Sequence, residues 1–286
     1  MAAQTIALIC NPQAGDGPST GELHELLGQA GADVRAFTPD SLPEAVEWGP
    51  QRFVAAGGDG TLGPAAQAAS QADAELAVLP VGTANNFALA LGVPADLQTA
   101  GRIATQGTEL RPMDLGYAGE RPFVNLASAG LAVPAARRAS SFKRLLGSRA
   151  YAVGALMVAV SEAPTECDVY VDGKPFFSGG AWQVMVAVTG AFGAGQQLAV
   201  AQPDSASLDV LIIEAGPRRR AVTNARALRR DELAEQPDAH HGLARAVTLQ
   251  LKGCSHCELN VDGELLGVEP RSELTVDPEA YSLVVP

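Results

Sequence analysis

The chain has 286 residues, of which 47% are hydrophobic and 18% are charged, and its net charge at pH 7 is -12. This composition is typical of a folded globular protein with a sizeable core and excludes a disordered chain. The negative charge argues against a general nucleic-acid-binding protein and against adsorption of the whole surface to anionic membranes.

The first third of the chain alternates between predicted strands and helices. A capping box of Ser19 and Glu22 begins the first helix. The other predicted elements are strands at 5–10, 32–37, 53–56 and 75–80 and helices at 62–72, 85–91 and 97–106. Strands joined by helices predict an α/β domain with a parallel sheet, whose ligands gather at the carboxyl ends of the strands.

The loop Gly57-Gly58-Asp59-Gly60-Thr61 follows the third strand and opens a helix. A glycine-dense turn of this kind lets backbone N–H groups approach an anion closely. Asp59 would repel a phosphate unless a Mg²⁺ ion sits between the two. The loop therefore predicts a nucleotide-phosphate site for phosphoryl transfer, with an ordinary turn and a surface Asp as the simpler alternative.

Two more glycine loops follow strands of the same predicted sheet. They are Asn11-Pro12-Gln13-Ala14-Gly15-Asp16-Gly17 and Pro80-Val81-Gly82-Thr83-Ala84-Asn85-Asn86-Phe87. Each has a simpler interpretation: the first as a glycine turn, the second as a loop whose Thr83 or Asn85 caps a helix. Because all three loops fall at one edge of the sheet, we expect them to converge on one ligand.

From about residue 108 short alternating runs predict an antiparallel β-sandwich, interrupted by helical segments at 137–160 and 218–230. We place a nucleotide-binding domain at 1–115 and a β-rich domain at 116–274. No linker separates them, so the cleft between them is the expected site. Asp172-Gly173-Lys174 and Asp262-Gly263-Glu264 are both hairpin-turn signals, and only the second carries an additional acid, Glu264.

Other features bear on location and partners. Residues 1–10 lack a signal peptide's basic region, and the apolar run 150–160 is too short to span a bilayer. Four cysteines fit a reducing compartment, and Cys254-Ser255-His256-Cys257 resembles half of a zinc site without a second half. We expect a cytoplasmic protein. Two basic clusters, at 137–149 and 218–230, are either solvated helix faces or contacts to lipid headgroups.

Taken together, the motifs resemble the bacterial branch of the diacylglycerol-kinase and sphingosine-kinase lipid kinases. The matching motifs span nearly the whole chain: Asn11-Pro12 with Gly15, Gly57 to Thr61, Gly82 to Ala88, Asp114-Leu115-Gly116, Asn125 with Ser128 and Gly130, and Asp262-Gly263-Glu264. The glycine loop at 57–61 is shared with NAD kinases and phosphofructokinases, whereas the loop at 82 and the late acid turn favour the lipid branch.

The resemblance implies ATP-dependent phosphorylation of a lipid hydroxyl and a return of segment 275–286 to the first domain. Asp262 would be the base, and Asp59 and Glu264 would arrange Mg²⁺ and its waters. The residues expected to bind the nucleotide are Asn11, Gly15, Gly57, Gly58, Gly60, Thr61, Gly82, Thr83 and Asn85. The expected partner is a lipid at the membrane surface and not nucleic acid, with the choice between monomer and homodimer left open.

Three positions depart from the family pattern: Asn86 in place of Asp, Gly63-Pro64 in place of Asn-Glu, and Ser205 in place of an acid associated with a structural Mg²⁺. They make that second metal doubtful and are consistent with altered lipid choice, weaker Mg²⁺ binding or lost activity. Two alternatives therefore stand beside the lipid kinase: a small-molecule kinase of the NAD-kinase type, and a nucleotide- or lipid-binding sensor without turnover.

Overall fold

Four parallel strands form the sheet of the first domain in the computed structural model, in the order β2-β1-β3-β4. Their bounds are β1 Thr5–Cys10, β2 Asp33–Phe37, β3 Arg52–Gly57 and β4 Glu75–Pro80. The structure describes residues 3–10, 17–29, 31–137, 162–192, 196–198, 201–217 and 232–286, with residues 220, 224, 227 and 230. The parallel sheet predicted from the strand–helix alternation is confirmed.

Five helices accompany these strands: α1 Thr20–Gly28, α2 Leu42–Trp48, α3 Asp59–Gln71, α4 Asn86–Ala90 and α5 Leu97–Gln106. The capping box of Ser19 and Glu22 at α1 is present. Helix α2 was not predicted, although a proline in its first turn and the left-handed Gly49 at its end are the usual signals. Helix α3 begins three residues earlier than predicted because Gly58 is its N-cap, which places Pro64 inside the helix.

The second half of the chain is built from antiparallel strands, as predicted for a β-sandwich. The strands from residue 110 onward are β5 Leu110–Ala118, β6 Arg121–Phe123, β7 Leu126–Gly130, β8 Thr165–Val171, β9 Lys174–Ala187, β10 Ala191–Phe192, β11 Gln196–Gln197, β12 Leu208–Glu214, β13 Ala239–Ala244, β14 Ala246–Leu251, β15 Cys257–Val261, β16 Glu264–Val268 and β17 Arg271–Val284. The predicted helical segments at 137–160 and 218–230 lie largely outside the described residues.

The last strand, β17, links the two halves. Near its end, Ser282 and Leu283 pair in parallel with Glu75 and Leu76 of β4, and the same strand pairs in antiparallel fashion with β5. Fifteen strands therefore form one continuous hydrogen-bonded sheet, with β10 and β11 pairing separately. Any motion between the halves is consequently limited by β17, which belongs to both.

Each half has its own apolar core. The first is formed by the buried faces of β1, β3 and β4 against the helices, with Phe53 and Phe87 among its largest fully buried side chains. The second contains alternating residues of β8, β9, β12, β14 and β15. No helix in the described part of the chain is long and apolar enough to cross a membrane, and the apolar run 150–160 lies outside that part.

Candidate functional site

The glycine loops meet at the carboxyl ends of β1, β3 and β4. A Cβ atom added to Gly82 would collide with the Cα of Gly58, so the second and third loops touch backbone to backbone. A Cβ on Gly17 would lie 3.3 Å from the carbonyl oxygen of Val81, which brings the end of the first loop to the same place. Asn11 and Gly15, predicted to bind the nucleotide, lie outside the described residues.

Asn85 holds the third loop in shape. Its Oδ1 accepts a hydrogen bond from the backbone N–H of Gly82 at 2.9 Å, and its Nδ2 donates to the carbonyls of Pro80 at 3.1 Å and Gly82 at 2.9 Å. Its φ of 50° is in the left-handed region, which Asn tolerates better than most residues. The amide is thus engaged by the loop itself, whereas Thr83 is exposed.

Asp59 is buried and accepts four hydrogen bonds. Oδ1 accepts from the backbone N–H of Phe87 at 3.0 Å and from Nδ2 of Asn125 at 3.2 Å. Oδ2 accepts from the backbone N–H and Nδ2 of Asn86, at 3.2 and 3.0 Å. Asp59 therefore caps the start of α4 from 27 residues away, and with 8% exposure it is not the surface Asp of the simpler alternative.

Asp262 lies at the tip of the β15–β16 hairpin, with a left-handed φ of 48°. Its carboxylate accepts hydrogen bonds from three successive backbone N–H groups, those of Val124 at 2.8 Å and of Asn125 and Leu126 at 3.0 Å. Desolvation raises the pKa of Asp262 to about 7, and the negative charge of Asp59 adds to this rise while the three N–H groups oppose it. A carboxylate with a pKa near neutrality suits a general base.

Asn125 connects the two acids. Its side chain donates to Asp59 while its backbone N–H donates to Asp262, so the acid turn near the end of the chain faces the glycine loop near its beginning. The Oδ1 of Asn125 accepts a hydrogen bond from the hydroxyl of Thr189 at 2.7 Å. Asn125 belonged to a predicted motif without a predicted role, and no local sequence signal pointed to Thr189.

Glu264 lies on the opposite side of the same loop. A Cβ on Gly60 would collide with the Glu264 carboxylate, so a glycine is needed where the two domains touch. The Oε2 of Glu264 accepts a hydrogen bond from Arg121 at 2.5 Å, and its side chain is more than half exposed. Arg121 was not predicted as a site residue, because no motif surrounds it.

Asp172, the other hairpin aspartate, has the same backbone conformation, with a φ of 48°. Its carboxylate also accepts two backbone hydrogen bonds, from Arg245 at 2.9 Å and Ala246 at 3.0 Å. Its partners belong to the strand region between β13 and β14 and not to the cleft. The two turns therefore differ in what surrounds them and not in local shape.

The departures from the family pattern acquire a local explanation at two positions. A Cβ on Gly63 would lie 2.6 Å from the carbonyl oxygen of Pro122, so glycine lets β6 approach α3 closely. Asn86 supplies N–H donors to Asp59 where an Asp would face it as a like charge. Ser205 exchanges hydrogen bonds with Ser207 within its own turn.

The acids of the site are candidate ligands for a metal ion. Among the described residues no three His, Cys, Asp or Glu side chains gather closely enough to hold a metal ion by themselves. Cys254 and Cys257 are joined by a disulfide, so this pair is not placed as half of a zinc site. A Mg²⁺ ion keeps several waters and takes phosphate oxygens as ligands, so Asp59 and Glu264 would need to supply only part of its ligand set.

A cavity of about 320 Å³ adjoins the carboxyl ends of β1 and β2. Its lining residues are Cys10, Thr20, Arg35, Ala36, Phe37, Thr38, Ser41 and Glu44. The sequence did not predict it, because its walls come from the ends of β1 and β2, the 3₁₀ turn Pro39–Ser41 and helices α1 and α2, which carry no glycine motif. The cavity lies at the edge of the sheet where ligands of parallel sheets usually bind.

Comparisons with known proteins agree with this architecture. The family model of the diacylglycerol kinase catalytic domain matches residues 5–118, and that of the YegS C-terminal NAD kinase beta sandwich-like domain matches residues 125–285. Diacylglycerol kinase of Bacillus subtilis is 31% identical over 227 residues, covering 76% of this chain and 72% of the relative. A probable lipid kinase YegS-like of Pseudomonas putida is 34% identical over 234 residues, covering 79% and 74%.

Solved structures show the same fold. A putative diacylglycerol kinase from Bacillus anthracis is similar with a TM-score of 0.78 at 20% identity, covering 99% of this chain and 97% of the other. An NAD kinase from Archaeoglobus fulgidus in complex with ATP is similar with a TM-score of 0.53 at 10% identity, covering 98% and 93%. With both domain models matched in order and relatives above 30% identity along three quarters of its length, the chain belongs to the diacylglycerol kinase family that includes the bacterial YegS-like lipid kinases.

Proposed function

We propose that this protein transfers the γ-phosphate of ATP to a hydroxyl group of a diacylglycerol-like lipid. The observation that carries the proposal is the placement of Asp59 and Asp262, from different domains, on the same buried Asn125. An acid of the glycine loop and an acid of near-neutral pKa thus lie together where the two halves of the chain meet, which supports the assignment of the first to the phosphate site and of the second to the base.

The chain's own residues have distinct roles in this reaction. Asp262 accepts the proton of the lipid hydroxyl, which is lost late in phosphoryl transfer, so a carboxylate is a sufficient base. The backbone N–H groups of Gly58 and Gly60 hold the phosphates, with the hydroxyls of Thr61 and Thr83 as further donors. The N–H of Gly82 is taken by Asn85, so Gly82 contributes by its close backbone contact with Gly58.

The donor nucleotide is supported by two observations. A cavity of about 320 Å³ lies beside the ends of β1 and β2, at the same edge of the sheet as the glycine loops, and we assign it to the rest of the nucleotide. The archaeal NAD kinase that shares this fold was solved in complex with ATP. Arg35, which lies over the Phe37 ring at 5.2 Å from its centre, presents a flat cationic surface in the lining of this cavity.

Asp59 and Glu264 would hold Mg²⁺ through its waters. Each oxygen of Asp59 already accepts two N–H groups, so Asp59 would bind the ion or its waters after releasing one of these donors, whereas the Glu264 carboxylate is more than half exposed. When bound, the ion neutralises charge on the phosphates. Arg121, paired with Glu264, keeps that carboxylate beside Gly60.

The lipid acceptor is supported by the named relatives. They are a diacylglycerol kinase and a probable lipid kinase YegS-like, each more than 30% identical to this chain over about three quarters of its length. In this proposal the protein is cytoplasmic and associates peripherally and transiently with the membrane that holds the lipid. It acts as a monomer or as a homodimer.

The direct test is transfer of labelled γ-phosphate to a panel of lipids: diacylglycerol, phosphatidylglycerol, a sphingoid base and a polyprenol. Asp262→Asn should lower kcat at least about 100-fold, because a general base is removed. Asp172→Asn is the matched control, since it alters the other hairpin aspartate, and it should keep activity within about twofold. Equal rates for wild type and Asp262→Asn would exclude the base assignment.

The same panel separates the alternatives. Phosphorylation of NAD but of no lipid would select a small-molecule kinase, which the fold shared with the archaeal NAD kinase motivates. ATP binding by calorimetry without turnover on any acceptor would select a sensor, which Asn86 and Ser205 motivate.

Membrane contact has its own test. Charge reversal of the basic cluster at 218–230, most of which lies outside the described residues, should reduce binding to anionic vesicles, because each Lys or Arg near such a surface contributes about 1 kcal/mol. Unchanged vesicle sedimentation after the reversal would remove that role from the cluster.

A further inference from the structure

We propose that Asn125, held in one orientation by Thr189, is a positioning residue that keeps Asp59 and Asp262 in register across the cleft. The inference rests on the proposed function for its kinetic readout. Its structural readout stands independently of any activity.

Asn125 is 1% exposed and lies between β6 and β7, where the two domains meet. Every polar group it carries has a partner. Its backbone N–H donates to Asp262, its carbonyl accepts from Val188 at 2.9 Å and Gly190 at 3.3 Å, and its Nδ2 donates to Asp59. Because Asn125 binds Asp262 through its backbone and Asp59 through its side chain, it cannot move toward one acid without breaking its hydrogen bond to the other.

The orientation of the amide is set by Thr189, which is also 1% exposed. Its hydroxyl donates to Oδ1 of Asn125 at 2.7 Å and lies 3.4 Å from the N–H of Ala191, which donates to it. With Oδ1 engaged, Nδ2 must face Asp59. Rotating the amide by 180° would set its oxygen against the Asp59 carboxylate, so the Thr189 hydroxyl selects the productive orientation.

A neutral donor is what this position requires. Asp59 presents an oxygen to the side chain of residue 125, so an acid at that position would face it as a like charge. The Nδ2 of Asn125 supplies the donor without adding a charge between Asp59 and Asp262.

The experiment compares Thr189→Val, which keeps the shape and removes the hydroxyl, with Thr189→Ser, which keeps the hydroxyl. Thr105→Val is the control: Thr105 is also buried and its hydroxyl donates to Gly101 within α5, away from the cleft. Thr189→Val should lower kcat about tenfold through misalignment of the reacting groups, with the Kd for ATP within about twofold. Thr189→Ser and Thr105→Val should stay near wild type.

Asn125→Ala and the double variant Asn125→Ala/Thr189→Val form a double-mutant cycle with Thr189→Val and wild type. If Thr189 acts through Asn125, the double variant is no slower than Asn125→Ala alone. Additive losses, or equal kcat values for Thr189→Val and Thr105→Val in an active enzyme, would overturn the inference.

Hydrogen exchange of the Asn125 side-chain amide, followed by NMR, supplies the readout that needs no substrate. Exchange should be slow in wild type and Thr105→Val and faster in Thr189→Val, since the amide can then turn. If wild type phosphorylates no lipid, the proposed function fails while this measurement still decides the positioning role. Unchanged exchange in Thr189→Val would refute it.

Discussion

At the scale of single residues, the site is defined by two acids whose environments differ. Asp59 accepts both side-chain and backbone N–H groups, whereas Asp262 accepts backbone N–H groups alone and has its pKa raised to about 7 by desolvation. A carboxyl group whose pKa lies near neutrality is suited to exchange a proton with a substrate. The proposed base therefore belongs to the second domain.

The raised pKa of Asp262 predicts a pH-dependent stability. The folded chain holds the proton of Asp262 up to about pH 7, whereas the unfolded chain releases it near the ordinary value of 3.8. Between these values the folded state binds more protons, so the free energy of unfolding falls as pH rises, by at most about 1.4 kcal/mol per pH unit. Below the ordinary value this contribution is fully present.

Urea denaturation of metal-free wild type and Asp262→Asn across that window measures the effect. We expect wild type to lose stability relative to Asp262→Asn as the pH rises from about 4 to about 7. If the free energies of unfolding of the two proteins change in parallel with pH, the pKa of Asp262 is not raised in the folded state.

The identities of the acids were accessible from the sequence, but their partners were not. Asp59 and Asp262 each stand in a short glycine motif that predicts a turn. Nothing within 27 residues of Asp59 indicates that it caps α4, and Thr189 lies in no motif at all. Such contacts depend on tertiary placement, which local patterns do not encode.

At the scale of elements, the third glycine loop depends on Asn85, which combines a left-handed backbone with three side-chain hydrogen bonds. Asn85→Ala removes the three hydrogen bonds and places alanine in a left-handed conformation that it tolerates poorly. The free energy of unfolding should therefore fall by about 2–3 kcal/mol. Asn85→Gly should lose only the hydrogen bonds and should be about 1 kcal/mol more stable than the alanine variant.

Chemical denaturation of the two Asn85 variants measures the difference, and calorimetry with ATP reports on the loop. Both variants should bind ATP more weakly, because the Gly82 backbone is no longer held against Gly58. Equal stabilities for the alanine and glycine variants would mean that the backbone conformation at Asn85 costs nothing.

The paired Asp-Gly hairpins show what an element-level prediction can achieve. Both turns were predicted, and both form with the same backbone conformation. The sequence favoured the second turn as functional because of Glu264 and the family resemblance. The structural distinction lies in where the backbone N–H donors come from. Those of Asp262 belong to the segment from Val124 to Leu126, which also contacts Asp59, whereas those of Asp172 belong to Arg245 and Ala246.

At the scale of the whole molecule, strand–helix alternation predicted the parallel sheet, and two-residue alternation predicted the antiparallel one. The fusion of the two sheets through β17 was predicted only from the family resemblance, because pairing between Ser282 and Glu75 spans most of the chain length. A strand of fourteen residues with a register shift between Asp277 and Tyr281 carries no sequence signal for where it changes partner.

That register shift is held by Asp114, a fully buried residue of β5. Its Oδ1 accepts from the backbone N–H of Glu279 at 2.9 Å, and its Oδ2 accepts from that of Ala206 at 2.8 Å. Burial raises the pKa of Asp114, and these two N–H donors oppose the rise. A nearby acid, Asp204, forms an exposed ion pair with Arg111 at 2.8 Å.

The two acids should therefore differ sharply in their effect on stability. Asp114→Ala leaves two buried N–H groups without an acceptor and should lower the free energy of unfolding by about 3 kcal/mol. Asp204→Ala removes an exposed ion pair and should cost less than about 1 kcal/mol. Urea denaturation of both variants measures the contrast. Because Asp114 joins β5, β17 and the loop before β12, its loss should also broaden the transition by uncoupling the two halves. A sharp transition with a small loss of stability would show that the halves stay coupled without Asp114.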